Sequence, residues 1–227
     1  CLTSNTTGQY NTAIGSYTAD SITTANDCTA VGYGAYTDAT TGASNTAVGR
    51  SALASCTTSS QNAAFGTYAG SAVTTGNDNT FIGHYAGINV TTGTGNSALG
   101  RDTIRTASTG SNNTAVGLNA AYELTTGGNN LCLGYEAGRS GSPSGQITTG
   151  SNIVVLGDNN IANLYCADTS ISSSDSRDKT DVTDFTNGLN WINQLKPVTY
   201  RWDKRCWYDN NTPDGSKKRN KKHIGFL

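Results

Sequence analysis

The sequence predicts an all-β protein: a long parallel β-solenoid followed by a small α+β segment at the C-terminus. Three observations lead to this prediction. Glycines recur every 17 residues, charged residues are few, and the composition changes near residue 173. Of the 227 residues, 27 are Gly, 14% are charged and 35% are hydrophobic. This composition does not favour a compact core of ordinary size, so stacking of repeated units has to supply the order.

A 17-residue repeat defines the solenoid. Its glycines stand at positions 15, 32, 49, 66, 83, 100, 117 and 134. A large apolar residue precedes each of them: Ile14, Val31, Val48, Phe65, Ile82, Leu99, Val116 and Leu133. A second turn, usually "TTG", lies upstream of each strand. A ninth copy, TTGSNIVVLG (148–157), follows an insertion of six residues.

The unit is too short for two helices and a turn, and Gly, Asn and Thr are poor helix formers. Short strands such as NTAVG, joined by glycine turns, fit coils that stack about 4.8 Å apart. We therefore predict about nine coils, an apolar spine formed by the residues before the glycines, and a ladder of hydrogen-bonded Asn side chains.

Each coil buries little apolar area, which makes a single rod marginal. We therefore predict a homotrimer whose three-fold symmetry closes apolar faces at the axis. A single-chain solenoid is the alternative. The predicted domains are the rod at 1–160, a connector at 161–173 and a separate segment at 174–227.

The last segment has its own pattern. Apolar residues at helical spacing predict a short helix over 189–195, capped by Asp184 or Thr186 and ended before Pro197. "VTYRW" (198–202) and "HIGFL" (223–227) predict strands, with a hairpin or long loop between them that carries a Pro-Asp-Gly turn.

Charge is distributed unevenly along the chain. Residues 1–173 carry four Arg, no Lys and nine acids, whereas residues 174–227 carry eleven basic and seven acidic residues. The basic run GSKKRNKKH (215–223) is expected to be a solvated loop, so no nucleic-acid partner is predicted. No apolar run approaches the roughly 20 residues of a membrane span, so no membrane insertion is expected. Cys1 is not a natural start, and we expect a segment before it.

The six cysteines do not indicate disulfides within the rod. Cys1, Cys28, Cys56 and Cys132 occupy four different columns of the repeat, so none is stacked directly on another. Folding in a reducing cytoplasm is expected. The chain has two His and no Cys-x-x-Cys pair, and we predict neither a metal nor a cofactor.

The segment after residue 173 resembles a known family. SDSRDKTDV (174–182), GLNWINQLKPVTYRW (188–202) and HIGFL (223–227) resemble the start of peptidase S74, the intramolecular chaperone of endosialidases and phage tail fibres. The repeats resemble the stacked head repeats of trimeric adhesins and viral fibres. In the family the Gly-Phe motif is followed by further α/β structure and by helices that form a trimeric coil, so residues 174–227 resemble only the family's N-terminal part.

The resemblance implies self-cleavage by a Ser–Lys dyad. Ser174 is the implied nucleophile, Lys179 its general base, and Ser173–Ser174 the bond that is cut. A Ser hydroxyl needs a base, and a Lys acts as one when burial or a nearby cation lowers its pKa. Arg177 is a candidate for that cation, and Asp175 for orienting the backbone or pairing with Arg177. No enzyme acting on an external substrate is expected.

The predicted function is that of a structural fibre protein. We expect the distal part of a phage or viral tail fibre, folded in the host cytoplasm, present in the virion, and matured by a self-cleaving trimerisation chaperone. A cellular trimeric adhesin or surface filament, located at the cell surface, is the alternative. A polysaccharide-cleaving enzyme is disfavoured because no carboxylate pair recurs, and an ice-binding face made of Thr rows is a more distant reading.

The partner outside the trimer is expected to be a glycan or protein receptor on the host surface. Six tyrosines near the turn after the repeat Gly are candidates for stacking on sugars, although they fit packing between coils equally well: Tyr33, Tyr36, Tyr68, Tyr85, Tyr122 and Tyr135.

Overall fold

The computed structural model describes residues 1–163, 197–200, 215–217, 220 and 223–226. The chain divides into two compact units, Cys1–Tyr165 and Cys166–Leu227. The predicted helix over 189–195 and its caps lie outside the described residues.

Nine three-residue strands build the first unit, and each pairs in parallel with the next one along the chain. They are β1 (Thr12–Ile14), β2 (Thr29–Val31), β3 (Thr46–Val48), β4 (Ala63–Phe65), β5 (Thr80–Ile82), β6 (Ser97–Leu99), β7 (Thr114–Val116), β8 (Leu131–Leu133) and β9 (Val154–Leu156). Equivalent repeat positions face one another across every pair, as Ala30 faces Ala47. The predicted all-parallel solenoid with 17-residue coils is confirmed, and the described residues contain no helix.

The repeat glycine forms the corner after each strand. Gly49 has a φ of 133°, a region that only Gly occupies readily, and a Cβ there would lie 2.5 Å from the carbonyl oxygen of Gly66 in the next coil. The backbone of neighbouring coils therefore comes too close for any side chain. This close approach accounts for the regular return of Gly at that position.

A buried Asn ladder runs through the middle of the stack, as predicted. The Nδ2 of Asn62 donates to Oδ1 of Asn45 at 3.1 Å and to the carbonyl of Gly76 at 3.0 Å. The backbone N–H of Asn62 donates to the same Asn45 Oδ1 at 2.9 Å. The pattern repeats through Asn79, Asn96, Asn113 and Asn130. Each amide thus satisfies its own hydrogen bonds and a backbone N–H of the next coil.

The apolar spine formed by the residues before the glycines lies on the outside of the solenoid. From β2 to β9 the middle residue of each strand is buried, whereas the residue before the glycine is half-buried or exposed. Ile14, for example, is 60% exposed and Leu99 49%. The interior of a coil is narrow, and other inward columns already occupy it. The central residue, which is Ala in most strands, points into this space, so the larger flanking side chain turns outward.

Threonine hydroxyls link the turns of neighbouring coils by hydrogen bonds. The first Thr of most "TT" pairs donates its hydroxyl to a carbonyl of the next coil, for example Thr57 to Thr74 at 3.1 Å and Thr74 to Thr91 at 3.2 Å. The second Thr of each pair is exposed. The inner Thr column therefore has a structural role.

The six-residue insertion after β8 is accommodated as a bulge. The backbone N–H of Ser142 donates to the Arg139 carbonyl at 2.9 Å, and the N–H of Gly145 donates to the Ser142 carbonyl at 2.8 Å. Ile147 N then donates to the Gly138 carbonyl at 3.0 Å, and the Ile147 side chain is buried. The inward pattern thus resumes after the bulge, and β9 pairs with β8 in register.

The second unit contains an antiparallel pair, β10 (Pro197–Tyr200) and β11 (His223–Phe226). The predicted strands at 198–202 and 223–227 are confirmed over Val198–Tyr200 and His223–Phe226, and the structure adds that the two strands pair with each other. Between them Gly215, with a φ of 86°, begins an exposed turn that continues through Ser216 and Lys217.

Candidate functional site

The proposed catalytic residues lie outside the described residues. They are Ser174, Asp175, Arg177 and Lys179, and the Ser173–Ser174 bond lies outside the described residues as well. Their roles as nucleophile, orienting group, cation and general base therefore stay predictions.

The hairpin of the second unit brings together two sequence motifs that are far apart in the chain. Pro197 faces Phe226, Val198 faces Gly225, and Tyr200 faces His223 across the β10–β11 pair. The Pro-Val-x-Tyr and Gly-Phe motifs are thus neighbours in one small sheet.

An exposed apolar column follows one edge of the solenoid strands. Its members are the last residues of β1 to β9: Ile14, Val31, Val48, Phe65, Ile82, Leu99, Val116, Leu133 and Leu156. Phe65 is 41% exposed and Leu156 43%, while Val31, Val48 and Leu133 are half-buried. A monomer seldom leaves so continuous a row of aliphatic and aromatic side chains open to water, and such a row is typical of an interaction surface.

The candidate tyrosines divide into two groups. Tyr33 and Tyr135 are exposed, whereas Tyr68, Tyr85 and Tyr122 are half-buried. The Tyr68 and Tyr85 rings stack on each other, with centroids 5.5 Å apart. These half-buried rings therefore contact neighbours along the stack, which agrees with the packing alternative.

Tyr36 is not a surface residue, so its candidacy as a sugar-stacking residue is wrong. It is buried, its hydroxyl donates to the Gly42 carbonyl at 2.8 Å, and that hydroxyl accepts from Asn45 Nδ2 at 2.5 Å. In the second coil Cys28 takes the place of the ladder Asn, and the Tyr36 hydroxyl makes the carbonyl contact that the missing amide makes elsewhere.

The sequence of the second unit matches a known protein family. Residues 174–227 match the model of the peptidase S74 family, the chaperone of endosialidase. The matched segment is just under a quarter of the chain and contains both the β10–β11 hairpin and the proposed Ser–Lys dyad. No curated protein and no solved structure matches the chain. The assignment of the solenoid thus rests on its strand pairing, and the similarity to the S74 family rests on the sequence of residues 174–227.

The cysteines of the described range are free thiols: Cys1 is exposed, and Cys28, Cys56 and Cys132 are buried. Burial raises the pKa of Cys56 and of Cys132 to about 11. These thiols stay protonated near neutral pH, and a protonated buried thiol is a poor nucleophile. They therefore act as small core residues.

Neither a metal cluster nor a membrane-spanning helix is found in the part of the chain that the structure describes. No group of three His, Cys, Asp or Glu side chains there could hold an ion. No helix in the same range is long and apolar enough to cross a bilayer.

The arginines that contact the candidate tyrosines were not predicted from the sequence. Arg105, Tyr122 and Arg139 are spaced 17 residues apart, so they occupy one column, and Arg105 and Arg139 both lie over the Tyr122 ring. Reading the residue five places after every repeat Gly would have revealed this column.

Proposed function

We propose that the chain is the distal part of a phage or viral tail fibre: a homotrimeric rod that attaches to a host surface and is matured by its self-cleaving S74 segment. The observation that supports this most directly is the match to the chaperone of endosialidase, placed after a solenoid of nine stacked strands. The sequence thus joins a regular rod to a segment whose matched family is a folding chaperone.

The physical need for a chaperone follows from the repeat. Strand register in the stack is set by contacts between nearly identical coils, so a shift by one coil retains most hydrogen bonds. Parallel pairing between coils also depends on contacts that are distant along a long chain, which folds slowly. A C-terminal segment that holds several chains at a common starting point removes the shifted alternatives.

The apolar column supports assembly into a trimer of identical chains. Its spacing is the same in every copy, so three rods around an axis parallel to their length can bring nine matching apolar layers together. Full burial of a Val, Leu, Ile or Phe side chain contributes about 1.5–3 kcal/mol. The isolated rod already buries these side chains in part, so each contributes a fraction of this value, and the gain comes from nine of them in each chain.

The proposed cleavage is tested by the intact mass of the full chain after expression and purification. We expect two products, ending at Ser173 and beginning at Ser174. Ser174→Ala and Lys179→Ala should each give a single uncut mass, because one lacks the nucleophile and the other the base.

Ser176→Ala is the matched control, since it removes a nearby hydroxyl outside the dyad, and it should be cut as the unaltered chain is. A single uncut mass for the unaltered chain, or cutting that survives Ser174→Ala, would contradict the proposed maturation.

A further inference from the structure

A continuous stack of guanidinium groups and tyrosine rings runs along one corner of the solenoid, from the turn after β3 to the turn after β8. We call it the Arg–Tyr ladder, and its members are Arg50, Tyr68, Tyr85, Arg105, Tyr122 and Arg139. Arg50 lies 5.5 Å from the Tyr68 ring, and Arg105 lies 4.8 Å from the Tyr85 ring. Arg105 and Arg139 approach the Tyr122 ring at 5.7 and 4.9 Å.

The ladder uses the ring faces, and carboxylates of the same chain already bind part of the guanidinium edges of Arg105 and Arg139, which leaves Arg50 and Arg101 as its exposed guanidinium groups. Tyr85 lies between the Tyr68 ring and the Arg105 guanidinium, so neighbours occupy both sides of its ring. A sugar ring or nucleobase therefore has no open face of Tyr85 on which to stack. A guanidinium held over an aromatic ring keeps its N–H groups in a fixed plane, the geometry that binds carboxylates through two hydrogen bonds.

Positive charge is concentrated at this corner. All four arginines of residues 1–163 lie on or beside the ladder, and this range contains no Lys. Arg101, beside the ladder, has a side chain that is 67% exposed, and His84 is exposed and contacts Tyr85.

Three carboxylates offset part of the charge: Asp102 in the middle of the ladder, and Glu123 and Glu136, which pair with Arg139 at its end. Asp102 is buried and pairs with both Arg101 and Arg105. Burial acts to raise the pKa of Asp102, but the hydrogen bonds from the two arginines outweigh it and the pKa is lowered. Four arginines against these three carboxylates leave a net charge of +1 at the corner, and Arg50 and Arg101 are its exposed cations.

We propose that the Arg–Tyr ladder is a binding site for an acidic polysaccharide whose carboxylates are spaced along the chain. Arg50 follows β3 and the Arg101–Arg105 pair follows β6, so these cations lie three coils apart, or about 15 Å. Such sparse cations match a polymer with separated carboxylates. Duplex DNA, with one charge per roughly 1.7 Å, needs a denser row of cations.

This proposal gives the attachment function a chemical partner and rests on it, but binding is measured separately from cleavage and from assembly. The probe is polygalacturonate, a carboxylated sugar polymer, with neutral dextran and a duplex DNA fragment as comparison ligands. Titration of the full chain should show binding to polygalacturonate alone. Affinity should fall as salt rises from about 50 to 500 mM, because exposed charges are screened.

The key variant is Arg101→Gln combined with Asp78→Asn, which removes one exposed guanidinium at the ladder while the net charge of the chain stays the same. We expect affinity for polygalacturonate to fall about tenfold, the size of effect that a charged hydrogen bond contributes. Asp78→Asn alone is the control and should bind at least as tightly as the unaltered chain. Unchanged melting temperature and sedimentation in both variants would exclude a folding or assembly effect.

No binding to polygalacturonate, equal binding to dextran, or unchanged affinity in the double variant would each overturn the proposal. Tighter binding to DNA than to polygalacturonate would also overturn it and would assign the ladder to nucleic acid instead. Cleavage at Ser173–Ser174 is measured by intact mass and polysaccharide binding by titration. Failure of this proposal is therefore distinguishable from failure of the maturation proposal.

Discussion

At the residue scale, single exceptions to the repeat are matched by compensating residues in neighbouring coils. Phe81 is buried at the middle of β5, a position that is Ala in β2, β3, β4, β6 and β7. The ring fits because Gly70 and Gly87 lie beside it, and a Cβ on Gly70 would come within 2.6 Å of the ring. A chain in which β5 paired with coils other than its sequence neighbours would lose this match, so Phe81 favours the pairing of consecutive coils.

This complementarity predicts a non-additive pair of substitutions. Phe81→Ala should lower the free energy of unfolding by about 3–5 kcal/mol, because the two glycines leave a cavity. Gly87→Ala should also destabilise, because the new Cβ meets the Phe81 ring. The double variant should be more stable than the sum of the two effects predicts, since Ala19 and Ala121 adopt the same positive φ at this position, 50° and 51°. Denaturant unfolding measures all three, and simple additivity would contradict the packing described.

The buried thiols predict a loss of stability at alkaline pH. The folded-state pKa of Cys132 is raised to about 11, above that of about 8.5 for a thiol in an unfolded chain. The thiol's contribution is therefore complete below about pH 8.5 and is lost between about pH 8.5 and 11, by about 3 kcal/mol. Cys132→Ala should reduce this loss, measured as the pH dependence of the unfolding free energy. Cys1→Ala, which removes an exposed thiol, should leave the slope unchanged, and equal slopes in both variants would contradict the assignment.

At the element scale, the Asn ladder joins the coils into one cooperative unit. Asn79 shows why, because its Oδ1 accepts from the backbone and side chain of Asn96, at 2.9 and 3.1 Å. Its Nδ2 donates to Asn62 Oδ1 at 3.0 Å and to the Gly93 carbonyl at 2.9 Å. One amide therefore connects three successive coils.

Asn79→Ala should consequently cost about 3 kcal/mol or more, since it leaves a buried N–H and a buried carbonyl without partners. Asn89→Ala is the matched control, because Asn89 is exposed, and it should change stability by less than about 0.5 kcal/mol. Both values come from denaturant unfolding. A cost at Asn79 no greater than that at Asn89 would show that the ladder contributes little.

The sequence was sufficient for the coil period, the turns and the Asn ladder, because these depend on spacing and on what Gly and Asn alone can do. It did not determine which way the strands face. In a three-residue strand such as Thr46–Val48, hydrophobicity favours Val48 inside, but the narrow interior accepts only Ala47. The choice depends on the volume that the other inward columns occupy, which no single strand encodes.

The two candidate sites also differ in how far the sequence alone predicts them. Ser174 and Lys179 could be proposed from a local motif, because the residues of the dyad lie close together in sequence. The Arg–Tyr ladder joins residues from 50 to 139, and its contacts depend on side chains from different coils that meet at one corner. Column spacing brings these residues together, but the stacking of Arg105 over both Tyr85 and Tyr122 requires the folded coil.

At the scale of the whole molecule, the apolar column is the surface through which copies of the rod are proposed to assemble. Ile82→Asp with Leu99→Asp places two charges at the centre of the column, where burial against other copies would cost several kcal/mol. We expect this variant to sediment as a monomer with a solenoid-like circular dichroism spectrum. Thr75→Asp with Thr92→Asp, at exposed positions away from the column, should leave the assembly unchanged.

The central claim is that this chain works as a homotrimeric rod with an S74 segment at its C-terminal end, and native mass spectrometry of the unaltered chain tests it most directly. With a chain mass of 23.5 kDa, we expect a species containing three copies of the rod at micromolar concentration, with the S74 segment either attached or released at Ser174. A monomer as the main species under these conditions would contradict the claim.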